Sequence, residues 1–204
     1  MKKGFIFFVL LVACAFLLSF INTSIGVGLG LNAPLPLANE KMKNVGGNEV
    51  SLNMAKTSKG ILVLFSCNTC PYVKLSESRI KELSDKCIKQ GIGCIIINSN
   101  EGQRGEEDSF DEMVKHAAVQ KYACSYVVDL SSKLADAFGA TSTPQCFLFN
   151  NTGLVYKGAI DDNVKDPSLV KNHYLNDAID AVLKGEIPKI QESKSIGCSI
   201  KRVE

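Results

Sequence analysis

The pattern of apolar and polar positions divides most of the chain into strands and helices. Ile61 to Phe65 are five consecutive apolar residues after Lys59-Gly60, and Cys94 to Ile97 form a second such run. Short runs of this kind suit strands buried on both faces. Between them the period changes. Val73, Ile80, Leu83 and Cys87 recur at helical spacing within Pro71 to Gln90, with Pro71 suited to a first helical turn and Gly91 to a stop. Ser109-Phe110-Asp111-Glu112 has capping-box spacing and opens a helix to about Lys121. Tyr126 to Val128 reads as a short strand, and Ser132 to Phe138 as a short helix stopped by Gly139. Gln145 to Phe149 and Leu154 to Ile160 flank Asn150-Asn151-Thr152-Gly153, a hairpin signal, and Gly46-Gly47-Asn48 is an earlier one. Lys171 to Lys184 is a last helix, closed by Gly185. Strands alternating with helices, then a hairpin and a helix, predict an α/β sandwich: a central mixed sheet with helices on both faces.

The ends read differently. Lys2 and Lys3 precede an apolar run from Phe5 to Ile21, the pattern of an export signal. Residues 1–21 are therefore a signal peptide cleaved near Asn22 to Gly30, or a retained membrane anchor. A third version takes Leu11-Val12-Ala13-Cys14, which resembles a lipobox, as a lipid attachment site at Cys14; the apolar residues after Cys14 argue against it. Each version exports the rest of the chain, to a periplasmic or other extracytoplasmic place where disulfides persist. Residues 22–40, with Gly26, Gly28, Gly30, Pro34 and Pro36, read as a linker, 41–185 as the folded domain, and 186–204 as a tail.

Composition narrows the function. Lys and Arg number 23 against 21 Asp and Glu, a net charge of +2, which gives no reason to propose a nucleic-acid partner or a polybasic membrane patch. Hydrophobic residues at 46% and charged residues at 22% are ordinary for a globular chain. Eight cysteines are more than packing needs and fewer than a disulfide scaffold carries, so some of them are candidates for chemistry.

In an α/β sandwich, chemistry is expected at the carboxyl end of a central strand where a helix begins. Phe65-Ser66-Cys67-Asn68-Thr69-Cys70-Pro71-Tyr72 occupies that place. The thiolate is the reactive form of cysteine, and the orphan amides and positive dipole end of a helix N-terminus stabilise it. Cys70 immediately precedes Pro71, so Cys70 is read as the nucleophile and Cys67 as its partner. The opposite order, Cys67 attacking and Cys70 resolving, is the usual one for a Cys-x-x-Cys pair and stays open.

A Cys-x-x-Cys between a buried strand and a helix, with Thr143-Pro144 opening a later strand, resembles the thioredoxin superfamily over residues 32–185. The stretches Cys67 to Lys74, Ile97-Asn98-Ser99-Asn100, Thr143-Pro144, Gly158 to Asn163 and Gly197-Cys198-Ser199-Ile200-Lys201 resemble its peroxiredoxin-like redoxin branch, related to the AhpC/TSA group. The resemblance implies a thioredoxin-like three-layer sandwich and a cis Pro144 facing the active cysteine. In thioredoxins the first active cysteine follows a strand Phe by five residues, which from Phe65 gives Cys70. There are departures. The flanking Trp is missing, Leu64 stands where thioredoxins bury an acidic residue, and Cys67 stands where peroxiredoxins carry the Thr that orients peroxide.

The resulting expectation is an exported thiol–disulfide oxidoreductase with Cys70, Cys67, Thr143 and Pro144 at its site and no cofactor. Its partners are a protein or small-molecule disulfide and a thiol electron donor, with the membrane engaged through the N-terminal segment. A thiol-dependent peroxidase consuming peroxide is the alternative, with an oxidised Cys70 resolved by Cys67, or by Cys198 if the tail folds over the cleft. Two further readings are a Cys-based copper-binding redoxin, using Cys67, Cys70 and His173, and a redox-inactive fold that only binds a partner. No second Cys-x-x-Cys completes a zinc site. The other cysteines have plainer readings: Cys87, Cys94 and Cys146 as packed residues, Cys124 as free or paired. Glu101 to Asp108 reads as a solvated charged loop, His116 and His173 as surface residues, and Asp161-Asp162 as a turn or cleft residue.

Overall fold

A computed structural model describes residues 28–203. The apolar N-terminal run and Cys14 lie outside the described residues. The elements follow in order: a hairpin of β1 (Met42–Lys43) and β2 (Glu49–Val50), one turn of helix α1 (Leu52–Ala55), β3 (Ile61–Ser66), the long helix α2 (Pro71–Gln90) and β4 (Gly93–Asn98). Then come α3 (Phe110–Gln120), β5 (Ser125–Val128), α4 (Lys133–Phe138), β6 (Ser142–Thr143) and β7 (Gln145–Phe149). The last are β8 (Leu154–Gly158), α5 (Tyr174–Lys184) and β9 (Cys198–Ser199).

The main sheet has the order β5-β4-β3-β7-β8. Its first three strands run parallel, β7 runs antiparallel to β3, and β8 antiparallel to β7. This is the mixed sheet the sequence predicts. Side chains alternate across each strand, so β3 feeds two cores. Leu62 and Leu64 pack with Val73, Ile80 and Cys87 of α2, Met113 of α3 and Ile179 of α5. Ile61, Val63 and Phe65 pack on the other face with Leu52 of α1 and Leu134 and Phe138 of α4. Phe138 meets the rings of Phe65 and Phe147 edge-on, at 5.3 and 5.2 Å between centroids. Helices on both faces complete a thioredoxin-like α/β sandwich.

Local chemistry sets the boundaries. Ser51 and Ser109 cap α1 and α3 by accepting from Met54 and Glu112 amides. The last helix begins at Tyr174 rather than Lys171, because the Asp162 carboxylate takes the amides of Lys171 and Asn172 and holds that backbone in a loop. Both flanking segments lie on the body. In the stretch read as linker, the Leu29 amide donates to the Phe138 carbonyl, the Asn32 amide to the Leu154 carbonyl, and Leu29, Leu31 and Leu35 pack against the second core. The tail returns across the sheet edge at Lys157 and Ser193, then β9 pairs antiparallel with β6.

Candidate active site

Strand β3 delivers Cys67 to the mouth of α2, and Cys70 is the residue that caps that helix, with Pro71 as its first position. The Thr143–Pro144 peptide is cis. It lies against both cysteines: Cys70 Sγ is 3.3 Å from the Thr143 carbonyl oxygen, and Cys67 Sγ is 3.3 Å from Thr143 Oγ1. The tail adds a third sulfur. In the β6–β9 pairing Thr143 stands opposite Cys198, which brings Cys198 Sγ to 2.7 Å from Cys70 Sγ. Gly197 permits this approach, since a Cβ there would fall 2.1 Å from the Thr143 carbonyl oxygen. Cys67, Cys70, Thr143, Pro144 and Cys198 thus share one cluster, with Cys70 and Cys198 separated by 128 positions in sequence.

The three sulfurs are electrostatically unequal. Cys70 is lowered to about 4: the Cys67 thiol donates a hydrogen bond to its sulfur, and the Cys198 thiol and the Val73 and Cys198 amides add to it, against the opposing effect of burial. Cys67 is raised because it donates to Cys70, is buried, and feels the Asp108 charge. Cys198 is raised to about 11, by burial first and then by donating to Cys70. These shifts favour a thiolate at Cys70 and protonated thiols at Cys67 and Cys198. Cys70 is nonetheless only 4% exposed, because the tail covers it.

The loop between the cysteines is seated by a polar network that sequence reading missed. The Asp108 carboxylate accepts from the Asn68 amide at 2.8 Å, Asn98 Nδ2 at 2.7 Å and Asn100 Nδ2 at 2.8 Å. Tyr126 Oη donates to Asn68 Oδ1 at 2.9 Å, and Arg104 ties the Asp108 and Asn98 carbonyls together. Asn100 Oδ1 also accepts from the Lys201 amide, which links the network to the tail. Two expectations are corrected. The Glu101 to Asp108 loop is not simply solvated, since Asp108 is fully buried with its charge answered by three donors. His116 is not a surface residue: its ring packs between Tyr122 and Tyr126, and burial lowers its pKa. A buried carboxylate does therefore lie near the cysteines, supplied by Asp108 rather than from the Leu64 position. The available signal was Asn98 and Asn100 at the carboxyl end of a buried strand, where unpaired polar groups demand partners.

The remaining residues fall where packing puts them. Cys87, Cys94 and Cys146 are buried in the core, Cys124 is half-buried, and His173 is exposed and away from the cluster. Asp161 pairs with Arg79 at 2.6 Å. Among the described residues, no three His, Cys, Asp or Glu side chains are arranged to hold a metal ion. A groove of about 670 Å³ opens beside the active loop, lined by Asn68, Thr69, Lys74, Glu112, Lys115 and His116.

Comparison with known proteins places this geometry. The model of the AhpC/TSA family matches residues 33–157. The chain belongs to the AhpC/TSA family. The matched stretch of this AhpC/TSA redoxin holds Cys67, Cys70, Thr143 and Pro144 but ends before Cys198. A hypothetical protein from Sinorhizobium meliloti 1021 is 33% identical, with 80% of this chain and 91% of that one covered and a TM-score of 0.72. An uncharacterized conserved protein from Geobacillus kaustophilus is 31% identical, with 83% and 93% covered and a TM-score of 0.75. Peroxidoxin BcpB from Mycobacterium tuberculosis shares the fold at 13% identity, with 72% and 92% covered and a TM-score of 0.53. No curated protein matches the chain.

Proposed function

We propose that this redoxin is an exported thiol–disulfide oxidoreductase in which Cys70 is the nucleophile. The observation that carries the reading is the Cys70 sulfur at the start of α2, stabilised as an anion by donors from Cys67, Cys198 and the Val73 amide. The Cys70 thiolate attacks one sulfur of a substrate disulfide, forming a mixed disulfide and releasing a substrate thiolate. Cys67, on losing its proton, then attacks the Cys70 sulfur, leaving a Cys67–Cys70 disulfide and the second substrate thiol. A thiol donor returns the pair to its reduced form. Thr143 and Pro144 orient the incoming disulfide. Export rests on the apolar run of residues 5–21 behind Lys2 and Lys3.

A peroxidase is the second reading, favoured by the tail. With β9 in place Cys70 is shielded from a bulky substrate, and Cys198 Sγ sits 2.7 Å away. Cys70 would attack peroxide, release an alcohol or water and become a sulfenic acid. Cys198 would then displace water from it to give a Cys70–Cys198 disulfide. Two assays on the full chain separate the readings. Insulin reduction that stops with Cys70→Ser supports the oxidoreductase. Rapid peroxide consumption with a thiol donor, lost in Cys198→Ser, supports the peroxidase; inactivity in both assays rejects both.

A further inference from the structure

A second pair of thiols lies in the core between the sheet and α2. Strands β4 and β5 run parallel with Ile95 opposite Ser125 and Ile96 opposite Tyr126. Cys124 is the residue just before Ser125, outside β5, and its thiol is within hydrogen-bond reach of Cys94. Cys94 belongs to the apolar cluster between the sheet and α2, and Cys124 packs against that cluster. Neighbouring strands are about 4.8 Å apart, inside the Cα separation of about 4.4–6.8 Å that a disulfide spans. Their exposures are complementary. Cys94 is buried, whereas Cys124, just ahead of β5, is half-buried and reachable from solvent.

We propose that Cys94 and Cys124 close into a disulfide when the chain meets a low-molecular-weight disulfide in an oxidising compartment. The Cys124 thiolate attacks one sulfur of the oxidant, forming a mixed disulfide and expelling one thiolate. Cys94 then displaces the second, its proton passing to the departing sulfur. Two protein thiols lose two electrons and the oxidant leaves as two thiols. The hydrogen bond to Cys124, and then burial, hold the Cys94 thiol protonated, so the second displacement is the slow one. The closed segment, 94–124, contains Asn98, Asn100, Arg104 and Asp108, the side chains that seat the loop between Cys67 and Cys70. The bond would fasten the mount of the candidate site without joining its chemistry, and it holds whichever function Cys70 has.

The test uses the full chain with Cys67, Cys70 and Cys198 replaced by Ser, incubated folded with oxidised glutathione and digested with trypsin without reduction. The expected product joins peptide 90–104 to peptide 122–133, separates on reduction, and is absent from the same chain carrying Cys124→Ser. Thermal unfolding of the oxidised form should rise by about 5 °C or more over the reduced form, with no rise in the Cys124→Ser chain. Free thiols at both positions, a glutathione adduct that stays on Cys124, or a bond from Cys87 to either residue would each overturn the proposal.

Discussion

Cys70 and Cys94 are the same chemical group with the same exposure, 4%, yet their environments push them in opposite directions. Burial raises the pKa of both by penalising the charged form. At Cys94 the hydrogen bond with the Cys124 thiol raises it first and burial among apolar side chains adds to that, with nothing opposing them. At Cys70 the penalty is outweighed by the Cys67 and Cys198 thiols and by the backbone amides of Val73 in α2 and Cys198 in the tail. Depth alone therefore says little about thiol reactivity in this molecule. What decides is whether hydrogen-bond donors converge on the sulfur, and only a helix start and a returning tail bring them together.

The comparison breaks most sharply at Cys70 itself. Cys70→Ser should lower disulfide or peroxide turnover by at least about a thousandfold, because no other sulfur in the cluster is held as an anion. In the unmodified chain the thiolate fraction at position 70 should rise through pH about 4 and then stay level through neutrality, while the Cys94 thiol stays protonated over the same range. The sign carries into stability. A thiol lowered from 9.0 to about 4 on folding stabilises the native state fully above pH 9 and progressively less as pH falls towards 4. Cys70→Ser should flatten that part of the stability profile, measured by denaturant unfolding between pH 4 and 9. A profile identical to that of the unmodified chain would mean that Cys70 is not held ionised.

Asp108→Asn tests the loop mount rather than the sulfur. Three N–H donors converge on this buried carboxylate, and an amide would turn its own NH₂ towards one of them. A loss of about 3 kcal/mol in unfolding free energy is expected, consistent with breaking a buried charge-assisted network. A change below 0.5 kcal/mol, the size of an ordinary surface substitution, would show that the loop is seated by something else.

These residues mark where sequence reading stops. Ile61 to Phe65 and Cys94 to Ile97 announce themselves as buried strands because local pattern and tertiary burial agree. Cys70 was legible for a similar reason: strand, turn and Pro71 lie within ten positions. Asp108 was not, since it follows Glu106 and Glu107 in a charged stretch and its partner Asn68 is 40 positions away. His116 was misread because half a helical face reads as polar while Tyr122 and Tyr126 close over it from beyond that helix. The cis Thr143–Pro144 bond was foreseen only through the family resemblance. Cys198 showed only as a cysteine in a poor packing context, and its place depends on a strand pairing that no local propensity encodes.

Gly197→Val sharpens the same contrast from the tail. Its Cβ would meet the Thr143 carbonyl, so β9 should detach from β6 and take the Cys198 donors away from Cys70. The alkylation midpoint of Cys70 should move up by about one pH unit, and insulin reduction should rise several-fold as the sulfur is uncovered. An unmoved midpoint would mean that Cys198 contributes nothing to the anion.

The smallest effect belongs to a sulfur with no donors at all. Cys146 follows Pro144 by two residues and is fully buried, yet its side chain faces the core, with Leu64 opposite it in the neighbouring strand. Burial pushes its thiol up, with the Asp161 charge adding to the effect. Cys146→Ala removes one sulfur from a packed interior, so a loss of about 1 kcal/mol in unfolding free energy is expected. Turnover should stay within twofold and the Cys70 alkylation profile should stay in place. If that profile shifted, closeness to Pro144 would matter more than the direction the side chain faces, and the separation between reactive and packed thiols would have to be redrawn.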